Sequence, residues 1–207
     1  MAIESVHFFG DPCCPWTWNT SRWLVEAADR SGVSIIWRTL SLAELNKDRE
    51  VPEHFRPKLT CSRRMARVLE ALRAEGRNDE IRAMFTAYGS RLHHDDHDPS
   101  DDLITSCATE CSVDHSFATD ALNDESWDTA IAESVAEAME LAGPEVGSPI
   151  IAVPELGRGF FGPIVSPPPT GDESLALWNV LTASFELPTF FELKRGRRDA
   201  VAFGPRP

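Results

Sequence analysis

The sequence predicts an α/β protein whose single sheet is assembled from the two ends of the chain, with a helical insertion between them. Three observations support this class. Residues 3–40 follow the order strand, helix, strand, and residues 150–181 follow the order strand, strand, helix. Residues 41–146 show apolar side chains mainly at helical spacing. Since 42% of the 207 residues are hydrophobic, the chain can bury a sizeable core.

The first segment predicts a βαβ unit. Residues 3–9 alternate in part and end in aromatics, which is typical of a strand. Residues 19–28 have helical periodicity, and Pro15 stands at the first helical position, where proline fits best. Residues 32–40 form a β-branched run after a glycine and predict a second strand. Strands joined in this way are expected to be parallel.

The middle of the chain predicts four helices, over residues 55–75 and 79–92, from Ser100, and from Asp124 or Ser126 to Gly143. The apolar period then switches. Residues 150–153 and 158–161 predict a hairpin around a turn at 154–157, and Thr170 is expected to cap a last helix.

The most informative stretch of the sequence is residues 10–18, between the first strand and the first helix. Cys14 falls where the helix begins, so unpaired backbone N–H groups and the positive end of the helix dipole converge on it. This position predicts a lowered thiol pKa and a reactive thiolate. The alternative is a buried structural cysteine. A vicinal disulfide with Cys13 is disfavoured, because adjacent residues rarely meet disulfide geometry.

Cys14-Pro15-Trp16 after a first strand resembles the active site of the DsbA family of thioredoxin-fold proteins. Residues 41–46, 147–149, 160–163 and 190–195 resemble the actinobacterial branch that includes mycothiol-dependent nitroreductases. The resemblance implies a thioredoxin-like domain from residues 1–40 and 147–195, a helical lid domain over 41–146 and a tail at 196–207. These relatives usually carry Cys-Pro-Trp-Cys, whereas this chain has Thr17 at the fourth position.

The two catalytic candidates are Cys14, as nucleophile, and Thr17. The Thr17 hydroxyl can donate a hydrogen bond to the Cys14 sulfur, and it can also serve as an ordinary helix-start cap. In the thioredoxin fold the proline matching Pro149 is cis and faces the active-site cysteine. The resemblance therefore implies that the backbone of Ser148 is free to pair with an extended substrate or thiol.

Four further residues are predicted to bind substrate. Trp16 lies beside the nucleophile and can stack on a flat molecule. Asn46 follows the second strand, on the side where ligands approach a parallel sheet, and the resemblance places an asparagine of this kind in the pocket. Phe55 stands where relatives often have tyrosine, which makes the pocket more apolar. His93 is the histidine expected to fold back toward Cys14.

Two other clusters have a structural interpretation. Residues 93–98 contain histidines and aspartates but lack fixed ligand spacing, so we expect a solvated helix end and no metal. Cys107 and Cys111 lie on one helical face, where core packing is expected.

The composition of the chain restricts the classes of molecule that it is expected to bind. The net charge is −13, which argues against nucleic acid, and the basic run at residues 194–198 is expected to be a solvated helix end. We find no signal-peptide pattern and no membrane span, and the five cysteines are scattered and odd in number. These features predict a cytoplasmic protein with reduced thiols that acts on a small molecule; a homodimer is compatible with them.

Three functions fit these residues. In the first, Cys14 thiolate adds reversibly to a conjugated polyene or enone and isomerises a cis–trans double bond, which requires one thiol and no bound cofactor. In the second, the protein is a thiol oxidoreductase or nitroreductase that uses mycothiol or another low-molecular-weight thiol as co-substrate. The third is a redox-inactive binding module, which a cysteine at a helix start argues against.

Overall fold

The computed structural model describes residues 3–197 and 199–207. Its sheet has four strands: β1 (Ser5–Gly10), β2 (Ser34–Thr39), β3 (Ile150–Val153) and β4 (Arg158–Phe161). They lie in the order β2-β1-β3-β4, with β1 parallel to β2 and antiparallel to β3, and with β3 antiparallel to β4. The prediction that both ends of the chain build one thioredoxin-like sheet is therefore confirmed.

Eight α-helices surround this sheet in the described part of the chain. They are α1 (Pro15–Ser31), α2 (Leu42–Leu45), α3 (Arg56–Ala74), α4 (Asn78–His93), α5 (Asp101–Glu110), α6 (His115–Asn123), α7 (Trp127–Ala142) and α8 (Gly171–Phe185). The helices predicted from periodicity are all present. Ser100 caps α5 as expected, because its hydroxyl accepts a hydrogen bond from the Leu103 N–H at 3.2 Å.

Two helices and one cap differ from expectation. The helix α2 has four residues and α6 has nine, so neither shows enough turns for its period to be recognised. The Thr170 side chain makes no capping bond. Instead the Gly171 N–H donates to the Glu26 carboxylate at 2.6 Å, which fastens α8 to α1.

The inserted helices share a core with the sheet. Helices α3, α4 and α7 contact β2, and α7 also contacts β3 and β4. Met65 of α3 and Phe85 of α4 belong to the same buried cluster as Phe8 of β1. Assignment of residues 41–146 to a lid domain stays a prediction. None of the described helices is both long and apolar enough to cross a membrane.

The contact of α1 with α4 depends on a glycine. A Cβ atom on Gly89 would lie 2.3 Å from the indole of Trp18, which is fully buried. Replacement of a helical glycine by alanine ordinarily stabilises by about 1 kcal/mol. For Gly89→Ala we expect the opposite sign, a loss of about 1–3 kcal/mol from overpacking.

Urea unfolding of Gly89→Ala measures this change, and Trp18→Phe supplies the matched background. The clash is with the six-membered ring of the indole. Gly89→Ala should therefore lower the free energy of unfolding less in the Trp18→Phe background than in the wild type. If Gly89→Ala instead raises the free energy of unfolding of the otherwise wild-type protein, then α1 and α4 are not packed this closely.

Candidate active site

Cys14 lies at the junction of β1 and α1, as predicted. It is the N-cap residue of α1, with Pro15 following in the first turn. The Cys14 N–H donates to the Asp11 carbonyl at 3.0 Å, and the Cys14 carbonyl accepts from the Trp18 N–H at 2.9 Å. A Cβ on Gly10 would lie 2.6 Å from the Thr17 methyl group. The glycine at the end of β1 thus allows the first turn of α1 to sit against the strand.

A buried carboxylate fixes the thiol loop to the helical insertion. Asp11 accepts hydrogen bonds from the Cys13 N–H and the Leu42 N–H, both at 2.8 Å, and from the Ser62 hydroxyl. It is 3% exposed. Sequence analysis missed this residue, although an aspartate just before a turn is a common signal for side chain-to-backbone bonding.

The expected thiol acidity is not found. Burial raises the pKa of Cys14 above its ordinary value, and the charge of Asp11 adds to this effect. Hydrogen bonds from the Thr17 hydroxyl and from the N–H groups of Thr17 and Trp16 act in the opposite direction. The prediction of a lowered pKa was wrong because it counted the helix start but not the burial of Cys14, a residue that is only 8% exposed.

Thr17 and Ser148 meet beside the thiol. Their hydroxyl groups lie 2.8 Å apart, and Thr17 is fully buried. This bond joins the first turn of α1 to the loop before β3. The Ser148–Pro149 peptide bond is cis, as the resemblance implied. No hydrogen bond involves the backbone of Ser148 within the described residues.

Cys13 lies in the core of the protein, against Tyr88. It is fully buried, and its sulfur lies 4.0 Å from the Tyr88 hydroxyl. Burial and the nearby charge of Asp11 hold the pKa of Cys13 well above its usual range. All five cysteines are free thiols. Cys13 is therefore a poor second thiol for chemistry at Cys14.

His93 folds back to the thiol loop, as predicted. Its Nε2 donates to the Pro12 carbonyl at 2.8 Å, and its ring lies between Trp18 and Phe203, with centroids 5.9 and 5.3 Å away. Burial lowers the pKa of His93 to about 4, so the ring is neutral near pH 7. The contact holds the loop backbone, and a role in substrate binding stays a prediction.

The C-terminal segment was not expected at this site. Phe203 also packs against His94, the Ala202 carbonyl accepts from the Asn19 amide at 2.8 Å, and Arg206 forms two 2.8 Å bonds with Asp95. The basic run is not a helix end, since α8 ends at Phe185. Within that run, Arg198 lies outside the described residues.

The remaining predicted residues have different surroundings. Trp16 is partly exposed beside Cys14 and lies under the Arg197 guanidinium. The Asn46 amide donates to the Leu42 carbonyl at 2.7 Å, and the Phe55 ring is 45% exposed and contacts His54. Neither of these two side chains has a described contact with the thiol loop.

Two minor predictions concern histidine and cysteine clusters. Within residues 3–197 and 199–207, no group of three or more histidine, cysteine or acidic side chains is arranged to hold a metal ion. Cys107 is fully buried in the core, as expected, while Cys111 is partly exposed.

Comparison with known proteins places this site in a family. The profile of the Rv2466c-like family, described as mycothiol-dependent nitroreductase Rv2466c, matches residues 13–195. The chain belongs to the Rv2466c-like family. The matched region of the Rv2466c-like family begins in the thiol loop and includes Thr17 and Ser148, whereas Arg197, Phe203 and Arg206 follow it.

Other proteins similar to this Rv2466c-like chain support the same fold. Rv2286c, an uncharacterized protein of Mycobacterium tuberculosis, is 27% identical over 96% of this chain and 84% of its own length. A probable DsbA oxidoreductase of Streptomyces coelicolor, SCO1869, superposes with a TM-score of 0.62 at 16% identity, covering 92% and 93% of the two chains. A 2-hydroxychromene-2-carboxylate isomerase gives 0.57 at 16% identity, covering 88% and 95%. The DsbA-like thioredoxin fold of this Rv2466c-like protein is therefore established.

For this Rv2466c-like protein, the effect of the Thr17 hydroxyl on the pKa of Cys14 can be tested by substitution. Since this hydroxyl lowers the pKa of Cys14, Thr17→Val should raise that pKa further, because the thiolate loses one hydrogen bond. The rate of Cys14 alkylation should still be increasing at about pH 9 in the wild type. In Thr17→Val, the curve of Cys14 alkylation rate against pH should move to higher pH.

Thr20→Val is the matched control for this titration, because Thr20 is also buried on α1 but bonds the Trp16 and Pro163 carbonyls. Cys14→Ser gives the blank. An unchanged profile in Thr17→Val would show that its hydroxyl does not act on the sulfur.

Proposed function

We propose that the protein is a monothiol covalent catalyst that isomerises a cis–trans double bond in a small conjugated carbonyl compound through Cys14. The observation that carries this proposal is Thr17. A buried hydroxyl, hydrogen-bonded to Ser148 at 2.8 Å, occupies the position of a resolving thiol. With Cys13 directed toward Tyr88, chemistry at this site has one sulfur available. A single thiol suits a reaction with no net electron transfer.

The proposed cycle is balanced without a co-reactant. Cys14 thiolate forms a C–S bond with the electrophilic end carbon of the conjugated system, and the π electrons shift to the carbonyl oxygen as an enolate. The former double bond is now single and rotates. When the enolate collapses, the C=C bond re-forms, the C–S bond breaks and the thiolate returns. No atom or electron is gained or lost.

Three features of the site suit this cycle. Trp16, two residues after Cys14, offers a flat, partly exposed ring. Burial of Cys14 keeps water away from the adduct. The Thr17 hydroxyl stabilises the returning thiolate with a hydrogen bond, and Ser148 orients that hydroxyl. The fold also occurs in a protein named as a 2-hydroxychromene-2-carboxylate isomerase, so this architecture is compatible with isomerase chemistry.

A second candidate is mycothiol-linked reduction of a nitro compound or a mixed disulfide, and the family match favours it. The residues fit a cysteine-containing thiol, because the free backbone groups of Ser148 lie beside Thr17 and can pair with an amide. Mycothiol would supply the second sulfur that this motif lacks. Trp16 would then bind the aromatic substrate.

The two candidates are separated by assaying one protein preparation in two ways. A conjugated polyene acid is incubated without any added thiol, and its isomers are separated by chromatography. A nitroaromatic compound is incubated with mycothiol, and its reduction is followed optically. Isomerisation without thiol supports the first function, whereas reduction with no isomerisation in any polyene replaces it with the second.

A further inference from the structure

The end of α4 and the last residues of the chain meet beside the thiol loop. Residues 199–207, here called the C-terminal strap, follow the region 13–195 that the family profile matches. Phe203 of the strap is partly buried against the main core. Its ring centroid lies 5.3 Å from that of His93 and 5.5 Å from that of His94. One strap side chain therefore packs against both histidines at the end of α4.

Each of these two histidines makes one hydrogen bond to the segment that carries Cys14. His93 Nε2 donates to the Pro12 carbonyl at 2.8 Å. His94 Nε2 accepts from the Trp18 indole N–H at 3.2 Å. Pro12 precedes Cys14 by two residues, and Trp18 follows it by four. The histidine pair thus holds the chain on both sides of the nucleophile.

The two hydrogen bonds require neutral rings in different tautomers. A carbonyl only accepts and an indole N–H only donates, so His93 carries a proton on Nε2 and His94 does not. Burial lowers the pKa of His93 to about 4 and also lowers the pKa of His94, so both rings are neutral near pH 7. Protonation of His94 at Nε2 would remove the acceptor for Trp18.

Burial is the largest cause of the lowered pKa in both histidines, and nearby charges modify it. The Asp95 carboxylate raises the pKa of His94. The groups whose positive charge lowers these pKa values are Lys58 and His94 for His93, and Arg22 and Arg206 for His94. Since the Phe203 ring packs on both imidazoles, it contributes to the burial that keeps them neutral.

The strap is anchored on both sides of Phe203. Before it, the Ala202 carbonyl accepts from the Asn19 side-chain amide of α1 at 2.8 Å. After it, Arg206 donates two hydrogen bonds of 2.8 Å to the Asp95 carboxylate. Because its neighbours in the chain are held, the Phe203 ring loses little further conformational entropy when it packs on the histidines.

We propose that Phe203 is a positioning residue for Cys14, which acts by holding His93 and His94 against the thiol loop and α1. Loss of the ring frees the two imidazoles, loosens their hydrogen bonds and lets water reach the buried thiol. The role goes beyond the proposed function, because it concerns the access to Cys14 in whichever reaction the sulfur performs.

Alkylation of Cys14 by iodoacetamide in full-length protein is the first test. At one fixed pH, Phe203→Ala should react about two- to tenfold faster, the range expected when one aromatic contact is lost from a local opening equilibrium. Phe203→Tyr keeps the ring and should restore a rate close to that of the wild type. Arg206→Met should act in the same direction by about twofold or less, because its ion pair is exposed. Mass spectrometry of the peptide containing Cys14, under partial labelling, gives the rates.

NMR titration of the imidazole rings is the second test, and a merely structural role of Phe203 would not change it. In Phe203→Ala the pKa of His93 should rise from about 4 toward the ordinary value of 6.5, because the ring becomes hydrated. The indole N–H signal of Trp18 should respond to pH over the range in which His94 titrates. Phe191→Ala is the matched control, since Phe191 is 83% exposed in the segment that precedes the strap. It should leave both measurements unchanged.

The proposal is overturned if a folded Phe203→Ala protein changes in neither measurement or in only one of them, or if Phe191→Ala changes both equally. Thermal unfolding checks that each variant is folded. If both measurements change as expected but no polyene isomerises, the positioning role stands and the proposed function fails. If a polyene isomerises and neither measurement changes in Phe203→Ala, the function stands and the positioning role fails.

Discussion

Cys14→Ala should abolish isomerisation of a conjugated polyene acid, with a loss of at least about 10³-fold, because removal of a nucleophile removes the whole covalent route. Chromatographic separation of the two isomers over time measures this loss. The same variant should also lose mycothiol-linked reduction, since both candidate reactions pass through the Cys14 sulfur. Substrate turnover that survives in Cys14→Ala would show that the sulfur is not required for that reaction.

Cys13→Ala is the matched control for this experiment. It removes a neighbouring thiol of the same size that is fully buried against Tyr88. We expect activity to be retained within a fewfold and the free energy of unfolding to fall by about 1–2 kcal/mol, from the small cavity that the substitution leaves. If a folded Cys13→Ala protein loses as much catalytic activity as Cys14→Ala does, the assignment of Cys14 as the nucleophile at this site is contradicted.

Thr17→Cys should have opposite effects on the two candidate reactions. A thiol at this position can form a disulfide with Cys14, which withdraws the nucleophile. Isomerisation should therefore fall about tenfold or more under oxidising conditions, if the disulfide occupies at least about 90% of the protein, and recover with reductant. Reduction of a disulfide substrate should instead increase, since the second thiol resolves the adduct.

Thr17→Ser is the matched control for Thr17→Cys, because it keeps the hydroxyl that bonds Ser148. It should leave both reactions near the wild-type rate. If Thr17→Cys raises mycothiol-linked reduction while no variant isomerises a polyene, the reductase function is favoured. If Thr17→Ser isomerises the substrate as slowly as Thr17→Cys under oxidising conditions, the lower rate results from altered packing at position 17 and not from a disulfide.

The strands and long helices could be predicted because their signals are local. Period-two and period-3.6 patterns identify β1, β3, α3 and α7 within a few residues. The position of Cys14 as the N-cap followed from Pro15 at the first helical position. The pairing of both chain ends in one sheet followed from the order of these elements and the family resemblance.

The surroundings of Cys14 could not be predicted in the same way. The carboxylate of Asp11 reaches Leu42 and Ser62, which are 31 and 51 residues away in the sequence. The Phe203 contact with His93 joins residues that no local pattern relates. The pKa of Cys14 depends on burial by such distant groups, so the helix start alone gave the wrong direction.

The most direct test of monothiol isomerisation is proton NMR of a conjugated polyene acid of defined geometry, incubated with catalytic protein in buffer without added thiol or nicotinamide. The account predicts that the vinylic coupling constants change from one geometry to the other over many turnovers. The total of substrate and product should stay constant, with no change in mass. No isomerisation of any polyene by a folded, alkylation-competent protein, together with mycothiol-dependent reduction of a nitroaromatic compound, would contradict the account.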